Sequence, residues 1–135
     1  MAALVPLCEM PPWWEPQAFR ELAQAELSAL FATHLCAKRL RGHPRPFDLV
    51  SEDSTLLGIV LPRATRGRQL TALQRAELSE AVLLLTCAPA QQRVLVVGDD
   101  PERLRPWLAV YGHLAHGIEI WHLRAPGELS RIAMP

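Results

Sequence analysis

The apolar positions along this chain change period several times, and each change marks an element. Over residues 17–37, Phe19, Leu22, Ala23, Leu27, Leu30 and Phe31 recur at three- and four-residue intervals, and Leu35 continues the stripe. That spacing predicts an amphipathic helix, in a segment rich in Ala, Leu, Glu and Gln, with Pro16 suited to its first turn. RGHPRP, residues 41–46, ends the pattern with a glycine and two prolines. PFDLVSED, residues 46–53, sets Phe47, Leu49 and Ser51 on one side and predicts a short strand. LLGIVLP, residues 56–62, is an unbroken apolar run of strand length, as expected of a strand covered on both faces. With EDST as the turn between them, the two make a hairpin.

A basic loop, ATRGRQL, follows at residues 64–70, and Thr71 is placed to cap the next helix, residues 71–88. Leu73, Ala76, Leu78, Val82 and Leu85 set the apolar side of that helix. RVLVVGDD, residues 93–100, is the clearest strand in the chain. Asp99 or Asp100 then caps a helix over residues 101–115, with Pro101 in its first turn. GIEIWHL, residues 117–123, alternates as a last strand and reads as a sheet edge. A further short strand is expected near residues 38–43. The order becomes α-β-β-β-α-β-α-β, which argues for an α/β domain: a mixed sheet flanked by helices. Residues 1–15 form a Pro-rich irregular arm, 16–124 one domain, and 125–135 a tail. Trp13 and Trp14 in the arm either pin it to the body or serve as a partner-binding hot spot.

Composition narrows the function classes. A chain of 135 residues, half of them hydrophobic, holds one core and not two. No apolar run approaches the ~18 residues of a membrane span. Cys8, Cys36 and Cys87 are odd in number and lack a C-x-x-C pair, so reduced thiols and a cytoplasmic setting are expected, without zinc. Formal net charge is zero, but residues 38–75 hold eight cations against three acids, a net of +5. Any pull on an anionic partner must come from that stretch.

Phe47-Asp48-Leu49-Val50, then Glu52-Asp53, then Ile59-Val60-Leu61-Pro62-Arg63 stand in a helix-first, β-meander arrangement. This resembles the PD-(D/E)XK nuclease superfamily, the restriction-endonuclease-like fold. The family sets an Asp at the start of the second strand and an E-x-K triplet near the end of the third. Phosphodiester cleavage needs divalent cations on oxygen ligands and a Lys that orients water. The resemblance places Asp48 at the Asp position, while Val60-Leu61-Pro62 replaces E-x-K. The one lysine of the chain, Lys38, lies upstream of the hairpin. The resemblance thus implies a catalytically degenerate member acting as a non-enzymatic binding module, without cofactor. Its alternative is a Mg²⁺- or Mn²⁺-dependent nuclease whose carboxylates have migrated to Glu21, Glu26, Glu77 or Glu80.

Two partner classes follow. Nucleic acid would use Arg39, Arg41, Arg45, Arg63, Arg66 and Arg68, since guanidinium suits phosphate. A protein partner, or a second copy of the chain, would use Trp13 and Trp14, Trp107 or the last strand. Other chemistry finds little support. His113 and His116 lie three apart where a helix ends, fitting its dipole better than a metal. The serines lack a G-x-S-x-G setting. VVGDD has a single Gly, and two acids at a helix start repel phosphate.

Overall fold

The computed structural model describes residues 12–62 and 69–133. In chain order the elements are α1 (Pro16–Phe31), β1 (Leu35–Lys38), β2 (Phe47–Ser51), β3 (Leu56–Leu61), α2 (Ala72–Cys87), β4 (Gln92–Val97), α3 (Pro101–Tyr111), a 3₁₀ turn (Gly112–Ala115), β5 (Ile118–Leu123) and β6 (Leu129–Arg131). The six strands form one mixed sheet in sequence order. β3, β4 and β5 are parallel to one another; β1–β2, β2–β3 and β5–β6 are antiparallel. The α/β class and the leading element order agree with the apolar periodicity.

β3 shows why the sheet holds. Leu57 and Ile59 join the cluster made by α2 and α3, whereas Leu56 and Val60 join the one made by α1. A strand covered on both faces has no polar side to offer, hence the unbroken apolar run. Gly58 faces α1, where Leu49 leaves no space: an added Cβ would stand 2.7 Å from Leu49 Cδ1 and 3.0 Å from the Val94 carbonyl. Thr71 caps α2 through a reciprocal box: Gln74 N–H donates to its Oγ1 and Thr71 N–H donates to Gln74 Oε1. At the other end of α2, Arg93 donates to the Leu85 carbonyl, which the Ala88 N–H also reaches, and to the Ala88 carbonyl just past the helix. Asp100 caps α3 through Glu102 N–H, and Asp99 pairs with Arg103 at 2.6 Å.

Several expectations need correction. α1 stops at Phe31, not at 37: Ala32 turns left-handed, with φ of 51°. Leu35 sits one helical turn past Phe31 in sequence, so it mimics the stripe. It is instead buried on β1, its N–H donating to Ser28 Oγ and its strand paired with β2. The short strand expected near 38–43 is therefore β1, several residues earlier. Leu30, Leu73 and Ala76 are exposed and do not belong to the buried stripes; Ala81 does. The segment read as a tail supplies β6, so β5 is an inner strand and the edges are β1 and β6. β1 is short, ends in Lys38 and carries an irregularity between Cys36 and Lys38, all features that discourage edge pairing. His113 and His116 lie in and just after the 3₁₀ turn, both exposed. Among the described residues, no helix is long and apolar enough to cross a membrane.

Candidate functional site

Asp48 is one of three polar residues buried among the described ones, at 8% exposure. Regular β2–β3 pairing is present at Val50↔Leu57 and Leu49↔Gly58. Beyond Leu49, the Asp48 carboxylate substitutes for a ladder acceptor: Val60 N–H donates to Oδ2 at 2.8 Å. The Asp48 main-chain carbonyl accepts from Gln24 Nε2 of α1 at 3.0 Å. Two guanidinium groups approach the carboxylate from different elements. Arg20 Nε of α1 lies 3.6 Å from Oδ1, and Arg45 of the β1–β2 connection lies 3.9 Å from Oδ2. Arg45 also reaches Glu80 of α2, at 3.3 Å.

These neighbours set the state of the carboxyl. Burial, the largest influence, pushes its pKa above the ordinary range; the Val60 N–H and the positive charges of Arg20 and Arg45 pull the other way without overcoming it. Asp53, two residues beyond β2, is the opposite case. It is exposed and accepts from the Thr55 hydroxyl, the Thr55 N–H and the Ser51 hydroxyl, which hold it below the ordinary range. Asp53 shapes the β2–β3 turn and leaves the β2–β3 ladder to Asp48.

The positions flanking Asp48 carry no complementary ligand. The Val60 side chain is fully buried in the cluster beneath α1, and Pro62, the position that the resemblance would give to a lysine, has no ionisable group. Of the glutamates Glu21, Glu26, Glu77 and Glu80, Glu80 is joined to Asp48 through Arg45. Glu21 accepts from Gln17, Glu26 accepts from the Gly127 N–H, and Glu77 lines a small cavity with Leu61, Pro62 and Asp99. Among the described residues, no group of three His, Cys, Asp or Glu side chains could hold a metal ion. Where a cation would sit against Asp48, guanidinium groups already stand. Arg20 and Gln24 were not singled out in the sequence. Their signal was there: they lie one turn apart, beside the buried Phe19–Ala23–Leu27 stripe.

The basic residues divide. Lys38, Arg39 and Arg41 are exposed, with no ion pair to an acid among the described residues. Arg45 is occupied by Asp48 and Glu80. Arg63, Arg66 and Arg68 lie outside the described residues. Trp13 is partly buried against the α1-side cluster and meets Trp14 edge-on at 5.7 Å; Trp14 is 50% exposed. Trp13 thus packs onto the body of the domain, and Trp14 presents an aromatic face to solvent. Trp107 is buried and donates its indole N–H to Ser79. Beyond the carboxyl ends of β4 and β5, a crevice of about 740 Å³ is lined by Asp100, His122, Arg124 and Glu128. Asp100 and Glu102 occupy the start of α3 there, which disfavours phosphate.

Several large apolar side chains on α2, α3 and the 3₁₀ turn stand exposed. Leu83, Val110, Tyr111 and Leu114 are 62%, 60%, 45% and 54% exposed. No protein-family model matches the chain, and no curated protein or solved structure matches it either.

Proposed function

We propose that the chain is a degenerate restriction-endonuclease-like domain that works as a non-enzymatic binding module. The observation that carries this reading is the saturation of Asp48. Its carboxylate is engaged by the Val60 N–H and faced by Arg20 and Arg45. The aligned E-x-K positions are Val60, Leu61 and Pro62. A divalent cation needs several oxygen ligands, and a guanidinium cannot serve as a base. The observed order of α1, a β1–β2–β3 meander, then α2, β4, α3 and β5 supports the family-like core.

A protein partner is the reading favoured for the module. Exposed apolar side chains on α2, α3 and the 3₁₀ turn, together with Trp14, support it, and the formal net charge of zero provides no overall attraction to a polyanion. Nucleic acid is the second reading, favoured by the exposed cations Lys38, Arg39 and Arg41, the first of which pairs on the ladder with Phe47, the neighbour of Asp48. A nuclease with Glu80 as a migrated ligand would require Arg45 to vacate the space between Glu80 and Asp48. Calorimetric titration with Mn²⁺ tests the core of the proposal. No saturable heat is expected; millimolar or tighter binding that disappears in Asp48→Ala would refute it.

A further inference from the structure

The β5–β6 hairpin carries a row of polar side chains on one face. In its antiparallel register His122 stands opposite Ser130, and Leu123 opposite Leu129. Arg124 N–H donates to the Glu128 carbonyl at 3.1 Å, so Arg124 and Glu128 form the next pair of that register. Cross-strand partners keep their Cβ atoms about 5 Å apart, and alternate residues share a face, which sets His122, Ser130, Arg124 and Glu128 together. All four line the crevice of about 740 Å³ beyond the carboxyl ends of β4 and β5, together with Gly98 and Asp100. The hairpin holds its shape without the two charged side chains. Glu128 N–H donates to the Ala125 carbonyl at 2.9 Å, and Gly127, left-handed at a φ of 78°, donates its N–H to the Glu26 carboxylate of α1. Arg124 and Glu128 are both exposed, and neither makes an ion pair among the described residues, whether with the other or with a third group.

We propose that this crevice binds a free α-amino acid, at a site whose lining includes none of the Asp48 cluster. The two opposite charges left without ion pairs select that ligand. An α-amino acid carries an ammonium and a carboxylate on one carbon, so it presents both charges within the span of one cross-strand pair. Arg124 receives the carboxylate, since the guanidinium fork matches its two oxygens, and the Ser130 hydroxyl is a further donor. Glu128 receives the ammonium, with Asp100 as a second acceptor. Ligands of a single sign fit less well. A phosphate or a dicarboxylate meets Glu128 and Asp100, and a polyamine meets Arg124. Leu129, also in the lining, offers apolar surface to the ligand's side chain. The volume falls within the roughly 300–1,000 Å³ of small-molecule sites. Because the hairpin is already fixed by its own hydrogen bonds, binding orders little beyond the two charged side chains.

The test follows the backbone amides of the full-length chain by NMR while glycine, L-alanine and L-leucine are each titrated. Saturable shifts at Gly98, Arg124, Glu128 and Ser130 are expected, with a Kd on the order of 1 mM for ligands of so few atoms. N-acetyl-L-leucine and L-leucinamide each lack one of the two charges and should bind about tenfold more weakly than L-leucine, as should inorganic phosphate. Arg124→Gln and Glu128→Gln should each weaken L-leucine about tenfold. Their circular dichroism should match wild type, because both side chains are exposed. Arg105→Gln removes an exposed cation of α3 that pairs with Glu102 outside the crevice, and it should leave binding unaltered. The absence of saturable shifts with all three amino acids would overturn the inference. So would equal binding of the acetylated or amidated compound, which would remove the need for both charges, or shifts that persist undiminished in Arg124→Gln and Glu128→Gln.

Discussion

Replacing Asp48 separates its two jobs, hydrogen-bond acceptor and charge. Asp48→Ala removes the acceptor of Val60 N–H, a donor on a fully buried residue. An orphaned buried donor costs about 1–3 kcal/mol. Arg20 and Arg45 lose a counter-charge as well, but both side chains are 34% exposed, so water screens most of that loss and it adds at most ~0.5 kcal/mol. Relief of the buried charge offsets part of the total. Asp48→Asn keeps an oxygen for Val60 and removes the charge, so its net effect lies within about 1 kcal/mol of wild type. For a domain of this size, 1 kcal/mol corresponds to roughly 3–5 °C in Tm. Asp48→Ala should therefore melt about 4–12 °C below wild type, and Asp48→Asn within about 4 °C of it. Thermal unfolding by circular dichroism, at several scan rates, reads both. Equal losses for the two variants would refute the acceptor role. A wild-type Tm raised by Mn²⁺ in an Asp48-dependent manner would refute the reading of a saturated, metal-free carboxylate.

Four further outcomes follow. Because burial raises the Asp48 pKa, the folded state holds that proton more tightly than the unfolded chain. Its contribution to stability is largest at the acid end and falls as pH rises from the ordinary carboxylate range through the folded value. Urea unfolding across that window should show wild type losing stability relative to Asp48→Asn; a gain would contradict it. Asp53 is lowered, so its contribution is present above the ordinary range and lost as pH falls through the folded value, and Asp53→Asn should flatten that acid limb. Gly58→Ala forces a Cβ against Leu49 and the Val94 carbonyl and should cost about 1–3 kcal/mol in the urea midpoint with an unchanged m value; a neutral result would mean that β2 and β3 shift freely. Under the nucleic-acid reading, replacing Lys38, Arg39 and Arg41 with Gln should lower the slope of log affinity against log salt by about 3 for duplex DNA. An unchanged slope would remove those residues from the interface.

Much of the fold was legible because the elements obey local rules. β3 is an unbroken apolar run, and β4 is one from Val94 to Val97, for the physical reason that both faces are covered, and the Thr71 and Asp100 caps sit where short polar side chains meet a helix start. What was illegible depended on partners distant in sequence. Leu35 fits a helix by spacing and a strand by pairing, and the Ser51 and Val50 register of β2 decides between them. Leu129–Arg131 has too little pattern to stand alone and becomes a strand only beside β5. At the site, Asp48 at the start of an apolar strand could be read directly. The guanidinium groups beside it could not, because Arg20 is 28 residues from Asp48 and only the packing of α1 on β2 brings them together.

The measurement closest to the central claim is a cleavage assay on labelled single- and double-stranded DNA and RNA, incubated with and without Mg²⁺ or Mn²⁺. Wild type and Asp48→Ala should both leave every strand intact, whatever binding a parallel salt series detects. Metal-dependent strand scission by wild type, lost in Asp48→Ala, would contradict the account and make Asp48 a catalytic metal ligand.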